Sequence, residues 1–242
     1  MARFPPPDRY RTGAYADANP DWHDADAPAK AEGLAPWLAR LPQVPGRVLD
    51  VGCGTGGVLA ELERRFGDRW SNTMWEGWDI AGQAIARARE RRGPRIRFVC
   101  GDALIAAVTA DLCLTIDVVE HVVDDEEFLR AVAAKAPWHV LRIPLDLSAL
   151  DVLRPTRLST VREQYGHLHL YTRELALERV RRAGLEVVGT AYHRVPVAPT
   201  SRAGRWFAPV RRGLEALHPD LAARWLGGVS LVVLARRTAG SI

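Results

Sequence analysis

Seven short apolar runs punctuate the chain, at 48–51, 74–80, 95–100, 111–116, 138–144, 185–191 and 229–235. Each has the length of a strand, and the first five close on glycine, proline or aspartate. Segments with helical spacing lie between them. One is expected at 28–41, with Pro28 in its first turn and Pro36 placed to bend or split it. A second opens directly behind the first run. A third covers 81–92, with Ile85 and Ala88 on one face. A fourth covers 173–183, where Thr172 caps the start, Glu174 and Glu178 suit the positive end, and Gly184 stops the helix. Shorter helices are expected at 209–217 and 221–225. Strands alternating with helices predict an α/β fold, a mostly parallel doubly wound sheet covered on both faces.

The first run carries the clearest chemistry. Val48-Leu49-Asp50-Val51 leads into Gly52-Cys53-Gly54-Thr55-Gly56-Gly57. A buried strand here feeds a tight, nearly bare turn that opens a helix. A ligand can lie directly on such a backbone, facing free N–H groups and a positive dipole end. Two ligands compete for it. Gly52, Gly54 and Gly57 fit the dinucleotide spacing G-x-G-x-x-G. Gly52, Gly54 and Gly56 fit G-x-G-x-G, with Asp50 just before. A carboxylate at the turn repels a pyrophosphate but tolerates a cationic ligand.

The following runs end in acids at regular places. Asp79 closes the second run, near the ~20-residue spacing at which an acid reaches ribose hydroxyls. Gly101-Asp102-Ala103 follows the third run, and Asp117-Val118-Val119-Glu120-His121 the fourth. In this order and spacing, residues 45–145 resemble the class I S-adenosylmethionine-dependent methyltransferases of small-molecule type. The resemblance implies a Rossmann-like sheet of seven strands, with one antiparallel edge strand where the last two runs pair. It implies that Gly52, Gly54 and Gly56, beside Asp50, pass beneath the methionine part of S-adenosylmethionine. It places Asp79, with Ile80, at the ribose, and Asp102 with the backbone of Ala103 at the adenine edge. Asp117 and Val118 then sit beside the reactive methyl. Taken singly, Asp79 is also read as a helix cap and Asp102 as a turn residue.

The flanks bear on the acceptor. Residues 1–45 are expected to form a strap and helix, 46–145 the cofactor-binding core, and 146–242 the substrate-side insertions with the last two strands, all in a single domain. By resemblance the strap folds over the cofactor, with Trp22, His23 and Lys30 lining the pocket; packing of the strap by Trp22 is the plainer reading. His167 and His169 alternate, so only one faces the cleft if that stretch is extended. The general-base candidates are His167, His23 and His121, in that order, with a structural histidine as the alternative for each. No metal is expected, because no further ligands are spaced to join His167 and His169. The connection between the last two strands reads as a lid or dimer element, with Trp206 and Phe207 reaching the substrate or a second subunit.

Composition narrows the picture. Hydrophobic residues make up 48% of the 242, enough for an ordinary core. No run approaches the ~18 apolar residues of a membrane span, and the first residues lack a signal-peptide core. Cys53, Cys100 and Cys113 lie in or beside strands without zinc or disulfide spacing, which suits small core residues in a reducing cytoplasm. The formal charge of +4 is concentrated in arginines between 194 and 237. That segment keeps an RNA acceptor open as an alternative, although a solvated helix face explains it and no nucleic-acid motif stands out. The expected partner is therefore a small-molecule acceptor, in bacterial secondary or sugar metabolism, with a homodimer conceivable. A nicotinamide dehydrogenase and a cofactor-binding module without chemistry are the other readings.

Overall fold

The seven apolar runs become β1 (Arg47–Val51), β2 (Met74–Asp79), β3 (Ile96–Cys100), β4 (Leu112–Ile116), β5 (Trp138–Pro144), β6 (Leu185–His193) and β7 (Ser230–Arg237). They form one sheet in the order β3-β2-β1-β4-β5-β7-β6. The computed structural model describes residues 9–13, 15, 17, 19–91, 93–154, 156–196 and 202–238, without the side chains of 9, 11, 202–207 and 210. The expectations for the first residues and for Trp206 and Phe207 lie outside that description.

The five central strands pair in parallel, with Asp50 level with Gly77 on one side and Leu114 on the other. β1, β4 and β5 are buried on both faces, and β4 is covered along its whole length, which is why those runs are so apolar; β3, at the sheet edge, is only partly covered. The edge pair is antiparallel as expected. β7 runs against its neighbours and pairs with both β5 and β6, and β6 takes the outer position. A register shift interrupts β6 between Val187 and Gly189. A Cβ at Gly189 would stand 2.6 Å from the Trp37 ring, so the strand approaches its covering helix more closely than any other residue permits.

Two helical layers cover the sheet. On one face lie α1 (Ala27–Leu38), α2 (Gly57–Phe66) and α3 (Gly82–Ala88), packed through Leu34, Leu38, Leu59, Leu62 and Ile85 onto Val48, Trp75 and Leu114. On the other lie α4 (Asp125–Ala133) and α5 (Arg173–Arg182), packed through Phe128, Leu129, Leu177 and Val180 onto Leu49, Leu141 and Ile143. The alternation of β1 separates the layers: Leu49 and Val51 face one, Val48 and Asp50 the other. A further helical pair, α6 (Arg202–Leu217) and α7 (Pro219–Leu226), fills the long connection to β7.

The helices depart from expectation in three places. α1 runs unbroken through Pro36. The expected helix at 81–92 is regular only over α3, and its last residues form turns. α4 begins at Asp125, a few residues beyond Glu120-His121, where the sequence places a helix start without giving its extent. Asp124 caps it by accepting a hydrogen bond from Glu127 N at 2.8 Å, and three acids occupy its first turn. That run of charge conceals the buried stripe behind it. Thr172 caps α5 as expected, accepting from Leu175 N at 3.3 Å. Cys113 is buried, and burial pushes its thiol up to about 12. Cys100, by contrast, is exposed on β3, and all three cysteines are free. Among the described residues no helix is long and apolar enough to cross a membrane.

Candidate active site

A cavity of about 450 Å³ opens at the carboxyl ends of β1, β2, β4 and β5. It has the size of a small-molecule site, and it lies where open α/β sheets bind their ligands.

The glycine loop forms one end. Gly52, Gly54 and Gly56 all have positive φ (78°, 54° and 74°), so the turn needs glycine at each of the three. Their surroundings differ. A Cβ at Gly52 would stand 2.6 Å from Val118, whose side chain closes over the loop. A Cβ at Gly54 would meet nothing within 4 Å, so this glycine presents bare backbone to the cavity. Gly56 is placed differently from the other two. It does not line the cavity; its missing side chain makes room for the Phe98 ring, which would be 2.3 Å from a Cβ. Its role is to turn the chain into α2.

Asp79 staples this loop. Its carboxylate accepts from Gly54 N and from Ala81 N, both at 2.8 Å. The capping and ligand-facing readings are therefore compatible, since a carboxylate has further acceptor sites and Asp79 and Ile80 both line the cavity. Burial raises the Asp79 pKa, and the amides of Ala81, Gly54 and Ile80 counter that rise. Asp102 accepts from Leu104 N at 2.8 Å, the turn its sequence suggests, and lines the cavity beside Ala103. Asp50 is buried, and its Oδ1 has no hydrogen-bond partner. Burial and the neighbouring Asp79 carry its carboxyl up to about 7.

The amino end of α2, where a pyrophosphate would rest, is already filled. Asp24 reaches it from the strap, accepting from Thr55 Oγ1 at 2.7 Å and pairing with Arg91. A Cβ at Gly57 would stand 2.5 Å from Asp24 Oδ1. This glycine, the third of the dinucleotide pattern, admits the protein's own carboxylate instead.

The strap reaches the cavity as expected. Trp22 and His23 line it, both with left-handed backbone (φ 52° and 58°), a strain of roughly 1–3 kcal/mol each. Trp22 packs on Tyr15, and its buried indole Nε1 has no hydrogen-bond partner. The His23 ring lies against Tyr165, 5.7 Å between centroids. Lys30 lines the cavity but is committed: its Nζ lies 3.0 Å from Asp117, which also pairs with the buried Arg142. Burial raises the Asp117 pKa, but Arg142 and Lys30 overcome this and hold its carboxyl well below the usual range. Asp117 has left-handed backbone too, at φ 54°.

The opposite end of the cavity holds Glu120, His121, Asp146 and His167. His121 Nδ1 donates to Gly166 O at 3.2 Å, and His167 Nδ1 lies 2.6 Å from Asp146 Oδ2. The two imidazoles meet edge to face, 4.8 Å between centroids. Tyr10 and Tyr15 pack edgewise on His121. The segment after β5 is pinned here because Leu168 N and His169 N both donate to Glu120 O. His169 points away and donates to Val122 O at 2.9 Å, so one of the alternating pair faces the cavity. Glu120 is 1% exposed, and neither carboxylate oxygen has a hydrogen-bond partner. Burial and the charge of Asp117 raise its pKa well above the usual value.

Sequence reasoning missed Asp24, Asp146 and Arg142. Asp146 follows the end of β5 and is findable by the strand-end rule. Arg142 is findable as an arginine within an otherwise largely apolar run. Nothing local marks Asp24.

A family profile described as a methyltransferase domain matches residues 22–190. The chain belongs to the class I S-adenosylmethionine-dependent methyltransferases. Similar members include norajmaline N-methyltransferase of Rauvolfia serpentina, 34% identical over 90 residues, 36% of this chain and 30% of that protein. Trans-aconitate 2-methyltransferase of Streptomyces coelicolor is 34% identical over 82 residues, 31% of this chain and 26% of that protein. The matched stretches thus span under a third of these relatives. Among solved structures, the N-methyltransferase NodS of Bradyrhizobium japonicum with S-adenosyl-L-homocysteine superposes with a TM-score of 0.56. It is 15% identical, covering 87% of this methyltransferase-family chain and 86% of its own. The [4+2]-cyclase SpnF superposes at 0.63, with 18% identity, 98% of this chain and 99% of its own.

Proposed function

We propose that this chain, as one domain over 1–242, transfers a methyl group from S-adenosylmethionine to a small-molecule acceptor, in the reducing cytoplasm that its free cysteines suit. The observation that carries the reading is the glycine-loop end. Bare backbone at Gly54, the carboxylates of Asp79 and Asp102 and the unpartnered Asp50 oxygen line it, and Asp24 fills the position a pyrophosphate needs. This arrangement suits a cationic nucleoside and disfavours a dinucleotide.

Bound S-adenosylmethionine supplies a methyl on a cationic sulfur, already strongly electrophilic. Asp79 accepts from ribose hydroxyls, Asp102 and the Ala103 backbone meet the adenine edge, and Asp50 receives the ammonium group. Trp22, Tyr10 and Tyr15 cover the cavity and exclude water. The acceptor's nucleophile lies at the His121–His167 end, and the proton it releases is handled there. His23, tilted against the Tyr165 ring, bounds the acceptor space. Positioning of this kind supplies up to ~7–11 kcal/mol of a barrier.

Similar proteins named for norajmaline and trans-aconitate support a compact acceptor. So does the pairing of the arginine segment. Arg194 and Arg211 are both held on Glu215, Arg224 on Asp220 and Glu174, and Arg236 on Glu186, which leaves less of the basic face an RNA needs. Calorimetry tests the reading. Adenosylmethionine is expected to bind and NAD to give no heat; the opposite result overturns it.

A further inference from the structure

We infer that Glu120, His121 and His167 form a binding site for a divalent first-row transition ion, of the Zn²⁺ or Fe²⁺ kind, open toward the acceptor space. One ligand atom from each residue lies within 4.8 Å of the other two. His121 Nε2 is already 3.8 Å from Glu120 Oε1. Ion–ligand bonds of about 2.0–2.2 Å bring donors to roughly 3.3 Å apart, so small side-chain adjustments close the site.

Three features distinguish this cluster from a chance meeting of polar groups. Glu120 is almost wholly buried, and neither oxygen has a hydrogen-bond partner, a costly arrangement unless a cation completes it. Each imidazole has its outer nitrogen engaged: His121 Nδ1 by the Gly166 carbonyl, His167 Nδ1 by the Asp146 carboxylate. That is the orienting pattern of metal-bound histidines, which turns the Nε2 lone pairs inward. Finally, nearby Asp117 is saturated by Lys30 and Arg142. Its two cations are therefore already committed, and neither supplies the counter-charge that Glu120 lacks.

Two imidazoles and one carboxylate select borderline ions over Mg²⁺ or Ca²⁺, which favour all-oxygen cages. The remaining coordination positions face the cavity, so the ion's chemistry favours an acceptor that offers oxygen. This role rests on the proposed methyl transfer; the binding of the ion does not. Sequence spacing gave no hint, because it paired His167 with His169, and the fold separates those two.

Cobalt titration of the chelator-stripped full chain tests the site. A single Co²⁺ per chain is expected, with visible d–d bands and no thiolate charge transfer. His167→Ala and Glu120→Gln are expected to weaken binding at least ~100-fold, and Asp146→Asn, which leaves the ligands in place, about 10-fold. Adenosylmethionine calorimetry on each variant verifies folding; where one substitution unfolds the chain, Asp146→Asn decides. No cobalt uptake, a thiolate spectrum, or affinity unchanged in these variants overturns the inference, and absence of uptake identifies Glu120 as a carboxyl kept neutral by protonation. Adenosylmethionine binding without cobalt binding removes the ion alone. Cobalt binding without adenosylmethionine binding removes the methyl-transfer reading alone.

Discussion

At the glycine-loop end, Asp79 and Asp102 take their hydrogen bonds from backbone amides: Gly54 and Ala81 for the first, Leu104 for the second. At the histidine end, each side chain is fixed by a group from another segment. His121 leans on Gly166 and His167 on Asp146, with Tyr10 and Tyr15 packed on His121. The first arrangement follows from strand, turn and helix start, and recurs wherever that local path recurs. The second exists only after β4, the turn behind β5 and the strap have come together. A common donor calls for the first kind of construction, and acceptors that vary between enzymes are served by the second.

The contrast can be broken from either side. The largest effect is expected from His167→Ala. On the proposed reading His167 serves the acceptor alone, as a base where the site holds no ion or as a ligand where it does, so turnover should fall by ~10²-fold or more, up to ~10⁴-fold for a base, while adenosylmethionine affinity stays unchanged; kinetics and calorimetry on one preparation check this. Parallel loss of both would show that the two ends are not independent. Asp79→Ala should do the converse. It removes charge-assisted hydrogen bonds worth roughly 1.5–3 kcal/mol, so adenosylmethionine affinity should drop about 10–100-fold by calorimetry.

His139, buried in β5 away from both ends, separates stability from function. Burial lowers its pKa from 6.5 to about 4, and the backbone of Ala136 holds its Nε2 at 2.8 Å. The neutral form is thus stabilised in the folded state. The contribution is complete above the unfolded value of 6.5 and is lost as pH falls toward the folded value near 4. Asp50 acts in the opposite sense, favouring the fold as its carboxyl protonates below about 7. A difference between variants is therefore needed. His139→Leu should gain roughly 2 kcal/mol over the parent chain between pH 7.5 and pH 5 in denaturant titrations. A pH-independent difference would show that the imidazole titrates normally.

The smallest effect is expected at Asp50. Asp50→Asn relieves a buried charge, so the ligand-free chain should melt slightly higher at pH 8, while adenosylmethionine affinity falls about 10-fold. A melting point unchanged or lowered would mean that the carboxylate is not under strain.

The legible parts share a cause. β1, the three left-handed glycines, Asp79 and Asp102 are local: a buried strand, a bare turn and an acid at a strand end are all written in consecutive residues. The extent of α4 was not legible because acids in its first turn mask the apolar stripe that packs on the sheet. At Gly56 spacing shows that a glycine is needed, and only the fold shows that its open side meets Phe98.

The chain's own pattern therefore determined the strands, the bare loop and the acids at the strand ends, since each of these is written in a short run of consecutive residues. Only the folded molecule decided that Asp24 closes the pyrophosphate position, that Arg142 and Lys30 consume Asp117, and that Glu120, His121 and His167 converge. These meetings join segments far apart along the chain. Whether a side chain finds a partner or is left buried without one depends on how the layers pack.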